Sequence, residues 1–586
     1  MSIESLSALR AQLKARQLDG WLLPHEDEYL NEYLPAANER LAFLTGFTGS
    51  AGSALILANE AHIWVDGRYQ VQVRSQVDLA QFDLHHSHED PLTDFIATLR
   101  AGTKLGLNGY CFSADQFEAI KSAADNAGVE LEDCRDDLVD LIWLQRPAGP
   151  DQAGFVLAEQ FTGASCEAKR QRLSRELPAG IEVALIAQPD SVNWLCNLRG
   201  RDVPRLPVML SRALLYKDGS LELFVDRARL PSDLALGTGV NVRTLEELEA
   251  ALADLKGRKV LVDMALTPAR LVNTLAYSGA RVVKGQDPCL MAKACKNEVE
   301  LAGMREAHLR DGVAVCQFLC WLDDEMAEGR LHNEAVLAEQ LECYRLQQDA
   351  YLEPSFDTIS AAGANAALPH YNHRNGEPAL LEPDSVYLVD SGGQYLMGTT
   401  DVTRTVAIGN PGEEVKGFFT LVLKGHIALD RARFVKGTCG HQLDILARAP
   451  LWAQGHDYDH GTGHGVGQCL SVHEGPQRIG KSANNFPLLP GMVLSNEPGY
   501  YRAGAFGMRQ ENLVEVVELE ARGDRPVYGF KALTWVPIDR RLIDADKLTA
   551  DEKAWLNHYH QGVWERIAPH LDGHGRDWLK AACAPL

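Results

Sequence analysis

Short runs of β-branched and aromatic residues alternate with amphipathic stretches through the first part of the chain. SALILA and HIWVDG are two such runs, and Gly46, Gly49 and Gly52 punctuate the approach to the first of them. Apolar runs of this length between turn-forming residues are typical of buried strands. The pattern predicts an α/β domain in residues 1–150, followed by a linker in the string RPAGPDQAG at 146–154.

A second segment repeats this order of elements. LAFLTGFTGSAGSALIL followed by HIWVDGRYQ corresponds loosely to VNWLCNLRGRDVPRLPVML followed by LELFVDRAR. In each segment an apolar, aromatic run precedes a turn, a buried strand and a strand that ends in Asp and Arg. We therefore expect a second, related α/β domain in residues 151–290, with a chance match between short strands as the alternative.

A third domain begins near the string KGQDPCLMAKACKN at 284–297, where a long helical pattern starts. Leu309, Val313, Cys316 and Cys320 fall on one face of that helix. Further on, SVYLVDSGGQYLMGTTDVTRTVAIG predicts a hairpin or an extended strand pair, and GMVLSNEPGYY with GMRQENLVEVVEL predicts another. We assign residues 291–525 to this α+β domain.

The last segment, residues 526–586, ends in an amphipathic helix. Thr549 and Asp551 fit the start of the helix, and Trp555, Tyr559 and Trp564 lie near one of its faces. We interpret this segment as a carboxy-terminal extension that packs on the third domain.

Charge and hydrophobicity narrow the possible partners. The chain has 57 basic and 80 acidic residues, which gives a formal charge of −23. This charge would repel nucleic acid and anionic lipid, so we expect neither nucleic acid nor a membrane as a partner. The amino terminus lacks a signal-peptide core and no stretch approaches 18 apolar residues, from which we expect a cytoplasmic protein.

Cysteine is sparse, with 12 residues in 586 and no CxxC motif. Several cysteines stand in apolar helical surroundings. We expect buried free thiols in preference to disulfides or a zinc site.

Four carboxylates and one histidine in the third domain carry the strongest chemical signal, each in a distinctive string. They are Asp390, Asp401, His464 in DHGTGHGVG, Glu497 in SNEPGYY and Glu511 in GMRQEN. Two divalent cations would neutralise about four negative charges, and an oxygen-rich set suits Mn²⁺, Co²⁺ or Zn²⁺. Two such cations about 3.5–4 Å apart can activate a shared water and polarise a carbonyl. The set therefore predicts a two-metal hydrolase.

The predicted strands place these acids in pairs. Asp390 and Asp401 would lie on neighbouring strands of one pair, and Glu497 and Glu511 on those of the other. The glycine-rich string around His464 lacks the GxGxxG spacing and the GK[ST] of phosphate loops. Its glycines are better explained by a backbone that closely approaches the metal ligand.

Three further histidines are candidates for binding substrate. They are His370 in ALPHYNH, His460 in YDHGTGHGVG and His473 in VHEGP. Each has an ordinary alternative as a structural, hydrogen-bonded histidine. A metal hydrolase, however, needs donors for its tetrahedral intermediate and a route for protonating the leaving amine.

These strings together resemble the pita-bread metallopeptidases, the group of aminopeptidase P, prolidase and methionine aminopeptidase. The similarity extends over the whole chain. The first domain of the long, three-domain aminopeptidases P resembles this chain in the strings PHEDEYLNEY, LTGFTGSAG and WVDGRYQVQ. The string NLRGRDVPRLPV resembles their middle domain, and LTWVPIDRRLID with WLNHYH resembles their carboxy-terminal extension. The implied fold is two creatinase-like α/β domains followed by a pita-bread catalytic domain and that extension.

The resemblance also implies roles for the site residues. Asp390 would be a bidentate ligand of one metal, Asp401 and Glu511 would bridge, and His464 and Glu497 would complete the shell of the second. The resemblance also implies a second set of residues that act on the substrate, which comprises His370, His460, His473, Glu497 and Arg509. Within this set Glu497 would be the general acid and base. The cofactors implied are two divalent ions, Mn²⁺ first, with Zn²⁺ or Co²⁺ as alternatives.

The implied activity is removal of an amino-terminal residue from peptides with proline at the second position, by a homodimer. The Xaa-Pro nitrogen has no hydrogen, so a dedicated site is required. Prolidase, which cleaves Xaa-Pro dipeptides, is the alternative, and a non-catalytic pita-bread binding module is disfavoured because all five ligands are present. Gln510 departs from the family, which has an apolar residue there, but a strand would turn it away from Arg509 and Glu511.

Overall fold

The chain divides into two folded units in the computed structural model, which describes residues 2–521 and 523–586. The first unit contains the residues up to Glu159 together with Ala164–Leu290, and the second contains Gln160–Gly163 with Met291–Leu586. Within the described residues, no helix is both long and apolar enough to cross a membrane.

The first unit begins with a six-stranded mixed sheet in the order β4-β3-β2-β1-β5-β6. The strands are β1 Gly20–Pro24, β2 Ser53–Leu57, β3 Ala61–Val65, β4 Asp83–His86, β5 Lys104–Leu107 and β6 Glu130–Asp133. Because side chains alternate along a strand, Trp21 and Leu23 enter one core while Leu22 enters another on the opposite face. Both faces of this sheet are therefore buried.

Helices cover the two faces of this sheet. They are α1 Ser2–Arg16, α2 Arg40–Thr45, α3 Gln72–Gln76, α4 Leu92–Ile96, α5 Ala114–Ala127 and α6 Leu138–Ile142. On one face, Leu9 of α1 and Leu44 of α2 pack in the core that contains Trp21. On the other, Ile120 of α5 packs in the core that contains Leu22.

A second six-stranded sheet has the same topology, in the order β12-β11-β10-β8-β13-β14. Its strands and two short neighbours are β7 Phe155–Val156, β8 Val183–Ile186, β9 Leu198–Arg199, β10 Ser211–Tyr216, β11 Leu221–Val225, β12 Val240–Arg243, β13 Lys259–Val262 and β14 Arg281–Lys284. The central strand is antiparallel to the next on one side and parallel to the next on the other in both sheets. The repeat predicted from the sequence is confirmed.

Six helices accompany the second sheet and the passage into the second unit. They are α7 Glu159–Thr162, α8 Cys166–Glu176, α9 Pro189–Cys196, α10 Leu248–Ala253, α11 Ala269–Ser278 and α12 Pro288–Ala294. Leu252 of α10 and Leu275 of α11 pack with Leu185 and Val260 of the sheet. Between α6 and β7 the chain has no regular element, as the linker-like composition of 146–154 predicts.

The second unit is built from helices packed on short antiparallel sheets. Its helices are α13 Glu298–Ala327, α14 Glu334–Arg345, α15 Glu413–Asp430, α16 Asp444–Trp452, α17 Ala550–Ile567 and α18 Gly573–Ala582. The long helix α13 starts at Asn297, whose side chain accepts from the backbone of Val299 and Glu300. Val313 and Cys316 on its apolar face pack in a large core, as the sequence pattern predicts.

Within the described residues, the strands of this unit form one four-stranded and two three-stranded antiparallel sheets and two short pairs. They are β15 Tyr351–Pro354, β16 Ile359–Ala362, β17 Ser385–Ser391, β18 Gly393–Tyr395, β19 Gly398–Thr399, β20 Val402–Ile408, β21 Arg433–Val435, β22 Gly463–His464, β23 Arg478–Ile479, β24 Val493–Asn496, β25 Gly499–Arg502, β26 Phe506–Arg509, β27 Asn512–Leu519 and β28 Val527–Ala532. The larger sheets have the orders β15-β18-β19, β16-β17-β20 and β21-β28-β27-β24.

Two long hairpins run through these sheets. In the first, β17 pairs with β20 and β18 with β19 in one unbroken register, from the pair Ser385 and Ile408 to the pair Tyr395 and Gly398. This is the hairpin predicted from the sequence.

The second hairpin also keeps one register, from β24 with β27 to β25 with β26. The ladder is interrupted where Pro498, which has no N–H, accepts from the backbone of Gln510. Both strand pairs predicted in the third domain are therefore confirmed.

The carboxy-terminal helix α17 packs on the second unit as expected. Thr549 caps the helix in a reciprocal arrangement with Glu552, and Asp551 lies in the first turn, as the sequence predicts. The rings of Trp555 and Tyr559 stack with centroids 5.4 Å apart, and Tyr559 is buried in the core shared with α13.

All 12 cysteines are free thiols, and most of them are buried.

Candidate metal centre

The first hairpin places Asp390 and Asp401 on one face of the sheet. Asp390 lies on β17 opposite Thr403, and Asp401 directly precedes β20, two residues before Thr403. Residues two apart on a strand share a face, so the two carboxylates are diagonal neighbours. Both side chains are buried.

The second hairpin pairs the two glutamates. Glu497 directly follows β24 and Glu511 directly precedes β27, and the register of Asn496 with Asn512 sets the two glutamates opposite each other. The backbone N–H of Glu511 donates to the carbonyl of Thr403 at 3.2 Å, which joins the two hairpins. Three of the four acids thus lie one residue outside the assigned strands, and hydrogen-bonded backbone still fixes them.

His464 lies on the short strand β22, where the glycine-rich string pairs with β23. A Cβ on Gly463 would overlap the carbonyl oxygen of Ser495, and one on Gly465 would overlap that of Glu474. Only glycine allows the backbone on either side of the histidine to pack this closely. This agrees with the close approach predicted from the sequence.

The protonation of His464 is fixed by a neighbouring carbonyl. Its Nδ1 lies 3.0 Å from the carbonyl oxygen of Gly465, which can only accept, so Nδ1 carries a proton. The other nitrogen, Nε2, lies 3.4 Å from Asp401 Oδ2 and 3.6 Å from Glu497 Oε1. The ring therefore presents its Nε2 to the carboxylates.

Ligand atoms of Asp401, His464 and Glu511 all lie within 4.8 Å of one another. Asp390 Oδ1, Asp401 Oδ1 and Glu511 Oε1 are buried, and none of these three oxygens has a hydrogen-bond partner among the described residues. Buried carboxylate oxygens require a donor or a cation. The arrangement fits a pair of divalent cations, and the five predicted ligands are the residues that would hold them.

The electrostatics agree with a cation site. Burial and the charge of Asp401 raise the pKa of Asp390 to about 6, although Arg509 opposes the shift. Burial, with the charges of Asp401 and Asp390, raises the pKa of Glu511 well above its usual value. Burial opposes protonation of His464, but its hydrogen bond to Asp401 and the charge of Glu497 raise its pKa to about 9. The carboxylates thus repel one another strongly when no cation lies between them.

Arg509 connects several parts of the centre. Its Nη2 donates to Asp390 Oδ2, and to the carbonyl of Pro369 at 3.3 Å. Its Nε donates to Thr403 Oγ1 at 3.1 Å. The salt bridge holds one oxygen of Asp390 and leaves Oδ1 for another partner.

The three predicted substrate histidines lie around these groups. The His473 ring stands edge-on to that of His464, with centroids 4.4 Å apart. His460 Nδ1 donates to the carbonyl of Gly461 at 2.7 Å, and it lies 3.8 Å from Glu497 Oε2. His370 is partly exposed and follows Pro369, whose carbonyl accepts from Arg509. The chain thus brings all three close to the centre.

Two residues that sequence reasoning did not single out also belong to the centre. The hydroxyl of Tyr501 accepts from Arg509 Nη1 at 2.6 Å and donates to His460 Nε2 at 2.8 Å. Thr403 Oγ1 donates to Glu511 Oε2 at 2.7 Å while it accepts from Arg509. Both stand in strings already quoted, NEPGYY and DVTRT, but Glu511, the partner of Thr403, and His460, a partner of Tyr501, are 108 and 41 residues away.

A buried arginine ties the carboxy-terminal extension to the same place. Arg404 Nη1 donates to the carbonyls of Thr403 and Glu511. Its Nη2 donates to the carbonyl of Val536 at 2.7 Å and to the hydroxyl of Tyr559 at 3.0 Å. The extension therefore supports the backbone that carries Glu511.

Carboxylates and a histidine on paired strands, with three buried oxygens that have no donor among the described residues, indicate the class of metal-dependent hydrolases. Comparisons with known proteins give the family. Residues 302–518 match the model of metallopeptidase family M24, residues 6–142 and 145–300 each match a creatinase/prolidase N-terminal domain, and residues 526–586 match the C-terminal region of peptidase M24.

Relatives match over the full length. A probable Xaa-Pro aminopeptidase P of Coprinopsis cinerea is 38% identical, covering 100% of this chain and 98% of the relative. Aminopeptidase P1 of Arabidopsis thaliana is 37% identical, covering 100% and 99%. The X-prolyl aminopeptidase of Caenorhabditis elegans, described as a cytosolic enzyme with a di-nuclear active site, superposes with a TM-score of 0.96 at 33% identity and 100% coverage of both chains. The chain belongs to metallopeptidase family M24.

The family and the fold predicted from the sequence are thereby confirmed. Two creatinase-like domains precede a pita-bread domain and its carboxy-terminal region.

Proposed function

We propose that this chain is a metal-dependent aminopeptidase that hydrolyses the bond between an amino-terminal residue and a penultimate proline. The observation that carries the proposal is the convergence of Asp401, His464 and Glu511 with Asp390 and Glu497 beside them, where three buried carboxylate oxygens have no donor among the described residues. The preference for proline rests on the full-length similarity to Xaa-Pro aminopeptidases.

The proposed ligands are the five residues predicted from the sequence. Their four negative charges balance two divalent cations, with Mn²⁺ first and Zn²⁺ or Co²⁺ as alternatives. When bound, such a pair supplies an activated water and polarises the scissile carbonyl. His464 contributes through Nε2, because its Nδ1 proton is held by Gly465.

The proton transfers are proposed for Glu497. Its Oε1 accepts from Ser495 Oγ at 3.2 Å, which orients the carboxylate beside His464. It would take a proton from the attacking water and return it to the proline nitrogen, which must be protonated to leave.

Arg509, His370, His460 and His473 are proposed to bind the substrate. Tyr501 lies between Arg509 and His460 and keeps both in place. Because the Arg509 guanidinium already neutralises part of the charge of Asp390, it also limits the repulsion among the acids.

The same proposal includes domain boundaries at 150, 290 and 525, a homodimeric state and a cytoplasmic location. The last is supported by the cytosolic Caenorhabditis elegans enzyme. Light scattering of the purified protein checks the dimer, and a mass of one chain would contradict it.

The substrate assignment is tested with matched peptides and Mn²⁺-loaded protein. We expect turnover of an Xaa-Pro-Pro tripeptide and no turnover of the corresponding Xaa-Ala-Pro tripeptide. Cleavage of the Xaa-Pro dipeptide alone would instead identify a prolidase. Asp401→Ala, which removes a proposed ligand, serves as the inactive control.

A further inference from the structure

Apart from the metal centre, one cluster in the second unit brings together three different kinds of metal ligand. Cys320 and Asp324 stand four residues apart on α13, so they share a face one turn apart. His574 lies in the first turn of α18. One ligand atom from each residue lies within 4.8 Å of the other two, and His574 Nε2 is 2.8 Å from Asp324 Oδ2.

The ion pair between His574 and Asp324 does not explain why the thiol of Cys320 lies beside it. Cys320 is 6% exposed, and its sulfur has no hydrogen bond with any described residue. Yet the sulfur lies within 4.8 Å of both the Asp324 carboxylate and the His574 imidazole. Three ligand types that suit a transition-metal cation are therefore close together at this point of the fold.

The surroundings of this cluster are strongly anionic. Burial, with the charges of Asp324 and Asp323, raises the pKa of Cys320 to about 12. Asp572 also contributes, at the residue that caps α18. A divalent cation would reverse this effect, because a coordinated thiol loses its proton to solvent.

We propose that Cys320, Asp324 and His574 bind a zinc ion. Sulfur, imidazole nitrogen and carboxylate oxygen are the usual ligands of Zn²⁺. Bonds of about 2.0–2.3 Å in a tetrahedron put ligand atoms roughly 3.3–3.8 Å apart, so small side-chain rotations within the observed cluster suffice. Water takes the fourth position on the exposed side. The thiolate selects against Mn²⁺, which prefers oxygen ligands.

This zinc ion would fasten the carboxy-terminal extension to the catalytic domain. Helix α13 belongs to residues 302–518 and α18 to residues 526–586, which match separate family models. Other contacts join the same surfaces: Trp578 Nε1 donates to Asp323 Oδ2 at 2.8 Å, and Arg541 Nη1 donates to Asp323 Oδ1 at 3.0 Å. The ion would add metal–ligand bonds between the extension and α13, which these hydrogen bonds already connect.

Co²⁺ titration of the full-length protein distinguishes this site from the catalytic centre, whose proposed ligands contain no sulfur. We expect a near-ultraviolet thiolate-to-cobalt charge-transfer band that reports one Co²⁺ per chain. Cys320→Ser should lose this band and His574→Ala should weaken its Co²⁺ affinity. Cys439→Ser is the matched control and should keep the band, because Cys439 does not belong to the cluster of Cys320, Asp324 and His574.

Absence of a thiolate band at saturating Co²⁺, or its persistence in Cys320→Ser, would overturn the proposal. A second measurement tests whether the zinc ion stabilises the folded protein. Zn²⁺ added to Mn²⁺-loaded protein should raise the melting temperature of the unmodified chain and leave that of Cys320→Ser unchanged. Equal shifts in both proteins would place the zinc elsewhere.

Discussion

Single residues around the carboxylates fix which oxygens remain available for a cation. Thr403 is fully buried and holds one oxygen of Glu511, while its own oxygen accepts from Arg509. Arg509 in turn holds one oxygen of Asp390. Each of these acids thus keeps one oxygen bound to protein and leaves the other without a donor among the described residues.

Thr403→Val tests this arrangement at nearly constant volume. Valine removes both hydrogen bonds and leaves buried groups of Arg509 and Glu511 without a partner. We expect Mn²⁺ affinity to fall about 10–100-fold, as for other residues that orient metal ligands, and kcat to fall with it. Thr438→Val is the control, since that hydroxyl donates only to the carbonyl of Val435. Unchanged Mn²⁺ affinity in Thr403→Val would refute the role.

Gln510 stands where the resemblance to the family predicts an apolar residue, and burial of its amide carries a free-energy cost. The side chain is fully buried, and neither atom of its amide has a partner among the described residues. Gln510→Met should raise the free energy of unfolding by about 1 kcal/mol or more while kcat stays the same. Gln477→Met is the contrasting variant and should destabilise, because Gln477 Nε2 donates to the carbonyl of Val493. Urea unfolding measures both, and a less stable Gln510→Met would contradict the expectation.

At the scale of elements, two hairpins and one glycine-rich strand assemble the centre. The unbroken registers set Glu497 opposite Glu511 and Asp401 diagonal to Asp390. Strand β22 then brings His464 against β24, where the backbone N–H of His464 donates to Ser495 Oγ at 2.9 Å. The ligands therefore depend on strand pairing more than on the loops between strands.

Gly463→Ala tests the contact between β22 and β24. A methyl group there overlaps the Ser495 carbonyl, so β22 must move and carry His464 with it. We expect a loss of about 1–3 kcal/mol in stability and a marked loss of kcat. Gly461→Ala is matched within the same string, where the nearest atom, the carbonyl oxygen of Ile479, lies at an ordinary 3.5 Å. Equal activity of the two variants would show that the close approach does not matter.

The arrangement of strands also shows which residues of the site could be predicted from the sequence. The strings around Asp390, Asp401, His464, Glu497 and Glu511 single out the proposed ligand set, because each combines rare residue types with strand or turn signals. The same reasoning missed Thr403 and Tyr501. Thr403 and Glu511 are 108 residues apart, and Tyr501 and His460 are 41 apart. A local sequence pattern cannot indicate that either pair is in contact.

The whole molecule consists of a repeated α/β fold and a catalytic domain with its extension. The two six-stranded sheets share one topology, which the short repeated strings predicted. The extension reaches the centre through Arg404, a buried cation whose contacts include the carbonyl of Glu511 and the hydroxyl of Tyr559. No local pattern could indicate this link, because it joins segments about 150 residues apart.

The most direct test of the central claim is a Mn²⁺ titration of metal-free protein with hydrolysis of an Xaa-Pro-Pro peptide as the readout. In the proposed centre two cations would share the carboxylates, so we predict that activity rises from zero and reaches its maximum at two Mn²⁺ per chain. His464→Ala should bind less metal and remain inactive. Full activity in the metal-free protein, or a maximum reached with one ion per chain, would contradict the account.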